Sequence, residues 1–485
     1  MSGSAHRQRL RGKTGCISCR NRRKKCDERR PNCVRCAISG RKCEWLGETQ
    51  LVDRRYASHP KSRYSSTDSV ALVCLRSENA AHKKLTLDLE VMISRHFIEK
   101  YYHFLLLPNC HRAFHDGWIQ EIQELMVMDE SLRYSVLANA ASHIHNVDTN
   151  PAMQSISLHY YSKSIRRLAD VLSLATNRYL ASYNGFLMSV MLLYLHGCAG
   201  KSTYPDIPPH LYAAMRVLRL RLFEAPNHTL QPFDHLALES VLYQSFLTTT
   251  VLWSDQHPQT EFDLLFWRKA EHFLKQNTMF PEQPDSLNSP VLGVPVALFR
   301  LAIQAKQAYQ LPGSCSSSEL AQLRAEIEDW EAFVLGNGPV GVSNDINAFH
   351  RQQLYYDGAT HLYVLIISLL LEQANAKSAP ADQQDLQNAR LPQALPKSTW
   401  QIQKALEVLH TFELDDDWSS CYIGTWPVYT MGFFLSEVKD IGLIRGEMDR
   451  RWRITNNMQI PRFRGDLEAA WLARGRSQDP HQMEV

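Results

Sequence analysis

Six of the 11 cysteines stand at Cys16, Cys19, Cys26, Cys33, Cys36 and Cys43, a C-x2-C-x6-C half-pattern written twice. No other feature restricts the fold as strongly, because six sulfurs so close in sequence must converge. Disulfides or metal could join them. The other five (Cys74, Cys110, Cys198, Cys315 and Cys421) are scattered singly. An odd total spread through a long chain fits a reducing compartment rather than a disulfide framework. The opening MSGSAHRQRLRGKTG has no apolar core of a secretory signal, and the longest apolar run, LYVLIISLLL at 362–371, falls short of the roughly 20 residues that span a bilayer. A soluble intracellular protein with no membrane partner is therefore expected, and metal is the favoured reading of the cysteines. A C-x2-C pair presents two thiolates to one ion from the start of a short helix. Four thiolates satisfy one tetrahedral zinc, and six satisfy two zincs if two sulfurs are shared.

The charge is as uneven as the cysteines. Residues 1–45 hold 14 Lys/Arg against Asp27, Glu28 and Glu44, a formal +11, whereas the rest carries 39 basic against 47 acidic residues. A basic head on a mildly acidic body suggests a module for a polyanion attached to something with another task. The densest basic run, Arg20, Arg22, Arg23, Lys24 and Lys25, lies between Cys19 and Cys26, where a short helix is expected to turn its basic face outward. A solvated basic face or a nuclear localisation signal would show the same composition.

This stretch closely resembles the zinc binuclear cluster domain of fungal transcription factors. All six cysteines coincide with that pattern, as do Arg20 directly after the second cysteine, Arg22 and Arg23, Lys25 directly before the third, and Pro31 two residues before the fourth. The resemblance implies two Zn2+ held by Cys16, Cys19, Cys26, Cys33, Cys36 and Cys43, with Cys16 and Cys33 bridging. Two Zn2+ and six thiolates sum to −2, so +9 survives in the head. The metals would replace a hydrophobic core that so short a segment cannot build, leaving it unfolded without zinc. The resemblance further implies that the module binds double-stranded DNA at CGG-containing promoter sites. By position, Arg22 and Arg23 would read bases, guanidinium groups being suited to guanine O6 and N7, while Arg20 and Lys25 would hold phosphates. Lys24 stands where many relatives carry an apolar residue.

At 485 residues the chain exceeds what one core usually holds, and 44% hydrophobic content supplies a large one. The fold class expected is mainly α: a small zinc-organised module followed by a large all-helical domain. The expected division is a basic disordered N-terminus at 1–15, the cluster at 16–45, a flexible linker at 46–89, a helical domain at 90–475 and a disordered tail at 476–485. No sustained heptad follows the cluster, so a coiled coil near the head is not supported. In SLRYSVLANAASHIH, Leu132, Val136, Leu137 and Ala140 share one helical face. In SSSELAQLRAEIEDWEAFVLGNG, Ser316 and Glu319 form a capping box, Leu320, Leu323, Ile327, Trp330 and Val334 make the stripe, and Gly336-Asn337-Gly338 stops the helix. LYVLIISLLL, apolar all round, fits a central helix, and residues 373–399 read as a flexible loop. Several segments, among them FHDGWIQEIQELMVMDESLRYSVLANAASHIH and TWPVYTMGFF, resemble the fungal-specific transcription factor domain, which implies a helical regulatory domain that senses a metabolite or binds partners.

An enzyme finds little support. Asp415, Asp416 and Asp417 are consecutive rather than a helical turn apart, as paired Mg2+ sites require, and read as a solvated acidic turn. His143 and His145 have no third ligand near in sequence. Neither a Walker loop, a G-x-S-x-G nor an H-E-x-x-H is present. The function expected is a nuclear, sequence-specific regulator of RNA polymerase II genes, for a pathway or a secondary-metabolite gene cluster, working with the transcription machinery. Monomer and homodimer through the helical domain both stay open. The competing reading is a helical metabolic or scaffold protein whose zinc module serves protein contact or nonspecific DNA tethering.

Overall fold

A computed structural model describes residues 15–22, 24–45, 80–199, 202–224, 229–250, 252–253, 261–311, 313, 315–336, 348–376 and 391–478. The chain divides into two compact units, Met1–Val73 and Cys74–Val485. Among the described residues every regular element is a helix.

The first unit has two one-turn helices, α1 (Ile17–Asn21) and α2 (Val34–Ile38). Each begins directly after the first cysteine of a C-x2-C pair. Its interior consists of Cys16, Cys19, Cys33 and Cys36, all fully buried, with Cys26, Cys43 and Trp45 packed against them. Four thiols are no hydrophobic core, so the unit depends on what the sulfurs bind.

The second unit begins earlier than the sequence suggests. Helix α3 spans Ala80–His96, so residues 80–89 belong to the helical body and not to a linker. Leu89, Ile93 and Phe97 follow one another at four-residue steps and dock on the core, which extends the helix upstream. The remaining expected linker, 46–79, lies outside the described residues, as do 1–14 and 479–485.

Helices α4 (Arg112–Met128), α5 (Glu130–Asp148), α6 (Pro151–Leu174) and α8 (Asn184–Ala199), with the short α7 (Asn177–Ser182) between the last two, form the first half of the body. The expected single apolar face of α5 is too narrow a description: Ser131, Leu132 and every residue from Ser135 to Ile144 are buried, polar positions included. Small residues (Ala138, Ala140, Ala141) let α6 and α8 approach it closely, and its polar groups are matched inside the core. Asn139 donates to Ser135 O at 2.9 Å and Leu192 O at 2.7 Å, while Tyr101 OH donates to Asn139 Oδ1 at 3.2 Å. Asp129 caps α5 by accepting from the Ser131 and Leu132 amides at 2.7 and 3.0 Å.

Helix α9 (Ile207–Leu218) leads to α10 (Pro232–Thr250), which touches α4, α8 and α9 on one side and α13 (Val296–Gln310) on the other, joining the two halves of the body; α11 (Leu264–Gln276) and the one-turn α12 (Asp285–Asn288) lie between them in sequence. Glu239 of α10 accepts from Ser289 Oγ and the amides of Val291 and Leu292 at 2.8–3.0 Å, which pins the loop ahead of α13.

In the second half, α14 (Ser317–Gly336) carries the expected capping box: the Glu319 carboxylate accepts from Ser316 N at 2.7 Å, and Ser316 Oγ accepts from Glu319 N at 3.2 Å. Leu323, Ile327 and Val334 of its stripe are buried, and Leu320 and Trp330 half-buried. The stop at Asn337-Gly338 lies outside the described residues. Helix α15 (Ala348–Ala376) contains the apolar run expected to be central, and residues 362–371 are buried on every side. With its flanks, Arg351–Ala374 is long and apolar enough to cross a membrane by length and composition, yet 89% of its most apolar window is buried by the rest of the protein.

The expected loop at 373–399 needs correction at both ends. Helix α15 runs to Ala376, and residues 391–399 are tied down: Tyr309 OH donates to Leu391 O at 2.8 Å, and Leu395 N to Phe434 O at 2.8 Å. Only 377–390 lie outside the described residues. Helices α16 (Trp400–Thr411), α17 (Asp416–Ser420), α18 (Thr425–Gly432), α19 (Val438–Thr455) and α20 (Gln459–Gln478) complete the body. The last continues through Gln478, so residues 476–478 are helix rather than tail.

Candidate metal centre and nucleic-acid interface

The six thiols of the first unit fall into two tetrads, Cys16, Cys19, Cys26, Cys33 and Cys16, Cys33, Cys36, Cys43, with all sulfurs of a tetrad within 4.8 Å of one another. Cys16 and Cys33 belong to both. The two shared sulfurs are 3.7 Å apart, Cys16 and Cys36 also 3.7 Å, and Cys19 and Cys33 3.6 Å. Tetrahedral zinc with Zn–S of about 2.3 Å requires sulfurs about 3.8 Å apart. Donor type, count and spacing thus all fit such an ion.

Local backbone structure produces this convergence. The Cys19 amide donates to Cys16 Sγ at 3.4 Å and the Cys33 amide to Cys43 Sγ at 3.3 Å, interactions that favour thiolate over thiol. Asp27 accepts from the Val34 amide at 3.1 Å, which caps α2. The segment leading to Cys43 is held against α1 by Ile17 N donating to Glu44 O at 2.8 Å and Ser18 Oγ donating to Lys42 O at 2.6 Å. Trp45 closes the far side, its Nε1 donating to Pro31 O at 2.8 Å under the Arg30 guanidinium, 5.0 Å from the ring centroid. Burial pushes the Cys19 thiol up to about 11. A cation would supply the charge that keeps such sulfurs ionised.

The basic run does not ride on a helix between Cys19 and Cys26 as expected. Helix α1 ends at Asn21, so Arg22, Lys24 and Lys25 follow the helix instead of riding on it. The chain has to leave the helix here to return Cys26 to the tetrad, and Lys24 N donating to Cys19 O at 3.0 Å marks that exit. Lys24 and Lys25 are exposed. Arg22 is half-buried, its Nε donating to Ser18 O at 3.4 Å. Arg23 and the side chain of Arg20 lie outside the described residues. Sequence reasoning did not single out Arg29, Arg30, Arg35 and Arg41, all exposed on the same small unit, although their charge was counted.

Elsewhere in the chain the candidate ligands are occupied otherwise. His143 pairs with His96, Nδ1 to Nε2 at 2.8 Å, while His145 Nδ1 meets Asn150 O at 2.8 Å, so the two histidines face different partners. Asp415 caps α17 by accepting from Trp418 N at 3.0 Å and also accepts from Tyr355 OH at 2.9 Å. Asp416 and Asp417 are exposed, as expected of a solvated turn. Among the described residues only the two cysteine tetrads group three or more metal-ligating side chains this closely. Burial pushes the thiols of Cys110 and Cys198 up to about 12 and that of Cys421 to about 11, which makes all three poor nucleophiles.

Two family descriptions match the chain: the fungal Zn(2)-Cys(6) binuclear cluster domain over residues 14–50, and the fungal specific transcription factor domain over residues 92–307. The chain thus carries a fungal zinc binuclear cluster domain followed by a fungal specific transcription factor domain. Relatives of this zinc-cluster protein include an uncharacterized transcriptional regulatory protein of Schizosaccharomyces pombe, 42% identical over 82 residues, covering 17% of this chain and 14% of the relative. The aspercryptin biosynthesis cluster-specific transcription regulator atnN of Emericella nidulans is 44% identical over 62 residues, covering 13% and 10%. Transcription factor lfc1 of Flammulina velutipes is 51% identical over 35 residues, covering 7% and 12%. These matches span only about a seventh or less of each relative's own length. No solved structure matches the chain.

Proposed function

We propose that this zinc-cluster protein is a sequence-specific DNA-binding regulator of RNA polymerase II genes, acting in the nucleus. The observation that carries the reading is the pair of thiol tetrads sharing Cys16 and Cys33, set beside a basic run whose Lys24 and Lys25 are exposed. Two Zn2+ are held by the six cysteines, with Cys16 and Cys33 common to both ions, and the metals fix α1, α2 and the segment after α1 as one rigid unit. Arg22 and Arg23 read a CGG-type triplet, Arg22 leaving its Ser18 carbonyl for a base edge. Arg20, Lys24 and Lys25 contact phosphate, which positions the unit without carrying sequence information. The partners are promoter DNA and the transcription machinery, and a second copy bound through the helical body would pair two triplets. A pathway or secondary-metabolite gene cluster is the proposed target, since the Emericella nidulans relative is named for one.

Selection of bound sequences from a random DNA pool tests this, with the full zinc-loaded chain at fixed salt. Enrichment of a CGG triplet is expected, and a second triplet at constant spacing if the chain pairs. Salt-sensitive binding with no enriched sequence would overturn the reading and leave the basic run as a nonspecific tether.

A further inference from the structure

The helical body contains a partly open cavity of about 290 Å³ where its two halves meet. Four stretches distant in sequence build its wall: Tyr101–Pro108 after α3, the ends of α5 and α8 at Asn146 and Ala199, the α10 face from Leu236 to Leu247, and residues 419–425 with 451–463 near the carboxyl end.

Among the described residues no Asp, Glu or Lys side chain lines it, and Arg451 is its one guanidinium. Arg451 lines the cavity but is fully buried and already ion-paired: Nε lies 2.8 Å from the Glu447 carboxylate, Nη1 donates to Cys421 O at 2.7 Å and to Thr425 Oγ1 at 3.2 Å, and Nη2 donates to Trp418 O at 3.3 Å. It has little capacity left for an anion. The remaining wall is apolar, with Leu105, Leu195, Leu247, Ile460 and Phe463, or neutral and hydrogen-bonding. Burial holds His143 down to about 4 and lifts the Cys198 thiol to about 12, so both lining groups are neutral at physiological pH.

Two neutral lining residues are incompletely satisfied. Trp118 and Gln244 are each 3% exposed, and Trp118 Nε1 and Gln244 Nε2 have no acceptor. Gln244 Oε1 accepts from Cys198 Sγ at 3.2 Å, so one end of the amide stays unmatched whichever way it is turned. A mostly apolar cavity with a few convergent polar groups is the general form of a small-molecule site.

We infer that this cavity binds an uncharged, largely apolar small molecule with neutral hydrogen-bonding groups, seated among Tyr101, Leu195, Leu247, Ile460 and Phe463. The ligand bridges the segment matched by the fungal specific transcription factor domain and the carboxyl-terminal helices α19 and α20, so its binding stabilises the body as a whole. The inference concerns the body alone and stands whether or not the amino-terminal unit reads CGG.

Nile red, a neutral apolar dye with a carbonyl acceptor, is the probe for the test. Titrated into the full zinc-loaded chain, it should show saturable, blue-shifted emission at one dye per chain and raise the melting temperature of the body. A199F, which projects a ring into the cavity from the end of α8, should weaken dye binding at least tenfold with unchanged helical circular dichroism. L247W, entering from α10, provides a second blockade should A199F fail to fold. The anionic dye 8-anilinonaphthalene-1-sulfonate should bind at least tenfold more weakly than Nile red, since the guanidinium of the wall, Arg451, is already paired with Glu447. Non-saturable emission, or saturable binding that survives both substitutions, would overturn the assignment, and tighter binding of the anionic dye would overturn the neutral ligand class.

Discussion

Cys16 Sγ and Cys33 Sγ lie 3.7 Å apart at the join of the two thiol tetrads, and each belongs to both. Cys26 and Cys43, by contrast, each serve one tetrad from its half-buried rim. If each tetrad holds one zinc as proposed, removing a shared sulfur should damage both sites, whereas removing a rim sulfur should damage one. In the full chain, C16S or C33S should retain less than one zinc, and C26S or C43S at least one. Inductively coupled plasma mass spectrometry on dialysed protein checks this, with circular dichroism confirming that the helical body remains folded. Equal zinc loss from shared and rim variants would sink the assignment of Cys16 and Cys33 as bridges.

The roles proposed for the basic run separate in binding assays. R23A should cost about 1–3 kcal/mol on the preferred triplet and flatten the preference for it, because a base contact is lost. K25A should weaken all sequences alike and lower the log–log salt slope by about one, because a phosphate contact is lost. Competition titrations at several salt concentrations distinguish the two. A uniform loss from R23A would remove it from base reading.

Much of this architecture is legible in the sequence where a local rule acts alone. The cysteine spacing foretells two tetrads because short loops between thiols leave few ways to bring them together. The Ser316–Glu319 box and the stripe on α14 appear where written, since this helix has one face to bury. Legibility fails where tertiary context overrides a local pattern. α5 reads as amphipathic, yet Ser135, Asn139 and His143 are inside because α3, α6 and α8 surround the helix. The polar stretch after α15 reads as a loop, but Leu391 and Leu395 are fixed by carbonyl and amide contacts to Tyr309 and Phe434, far away in sequence. The cavity was invisible because its wall comes from segments more than 300 residues apart.

Gly358 sets two opposing effects against each other in α15. Helix propensity alone would make G358A stabilising by about 1 kcal/mol. A Cβ there, however, would stand 2.5 Å from Cε2 of Phe412. Phe412 is 1% exposed, stacked on Trp418 at 4.7 Å and edge-on to Tyr355 at 5.4 Å, so it has little room to yield. Overpacking of this kind costs about 1–3 kcal/mol and should outweigh the propensity gain. G358A should therefore lower the thermal midpoint of the body, and F412L should recover part of that loss in the double variant. A midpoint above that of the parent would show that the Phe412 contact is soft.

The buried titratable groups give the body an acid-sensitive stability. Burial holds His143, His196 and His235 down to about 4, with His96 adding to the effect at His143. His196 is fixed between Ser157 Oγ at 2.7 Å and Thr203 Oγ1 at 3.0 Å, and Ser157 donates its own proton to Ala138 O at 2.8 Å. Between pH 6.5 and 4 the unfolded chain binds protons at these sites that the folded chain refuses, so stability falls as the pH drops through that window. The ceiling is about 2 kcal/mol per histidine at pH 5. Glu239 acts in the opposite sense. Burial lifts it to about 7, so the folded state holds a proton that the unfolded state releases, and its contribution declines as the pH rises from about 4.5 to 7. Three histidines outweigh one carboxyl group, so the thermal midpoint should be lower at pH 5 than at pH 7.5. H196Q should show a shallower acid loss and E239Q a steeper one, both read from melting curves across that range. Three parallel pH profiles would mean that neither group titrates differently in the folded and unfolded chain.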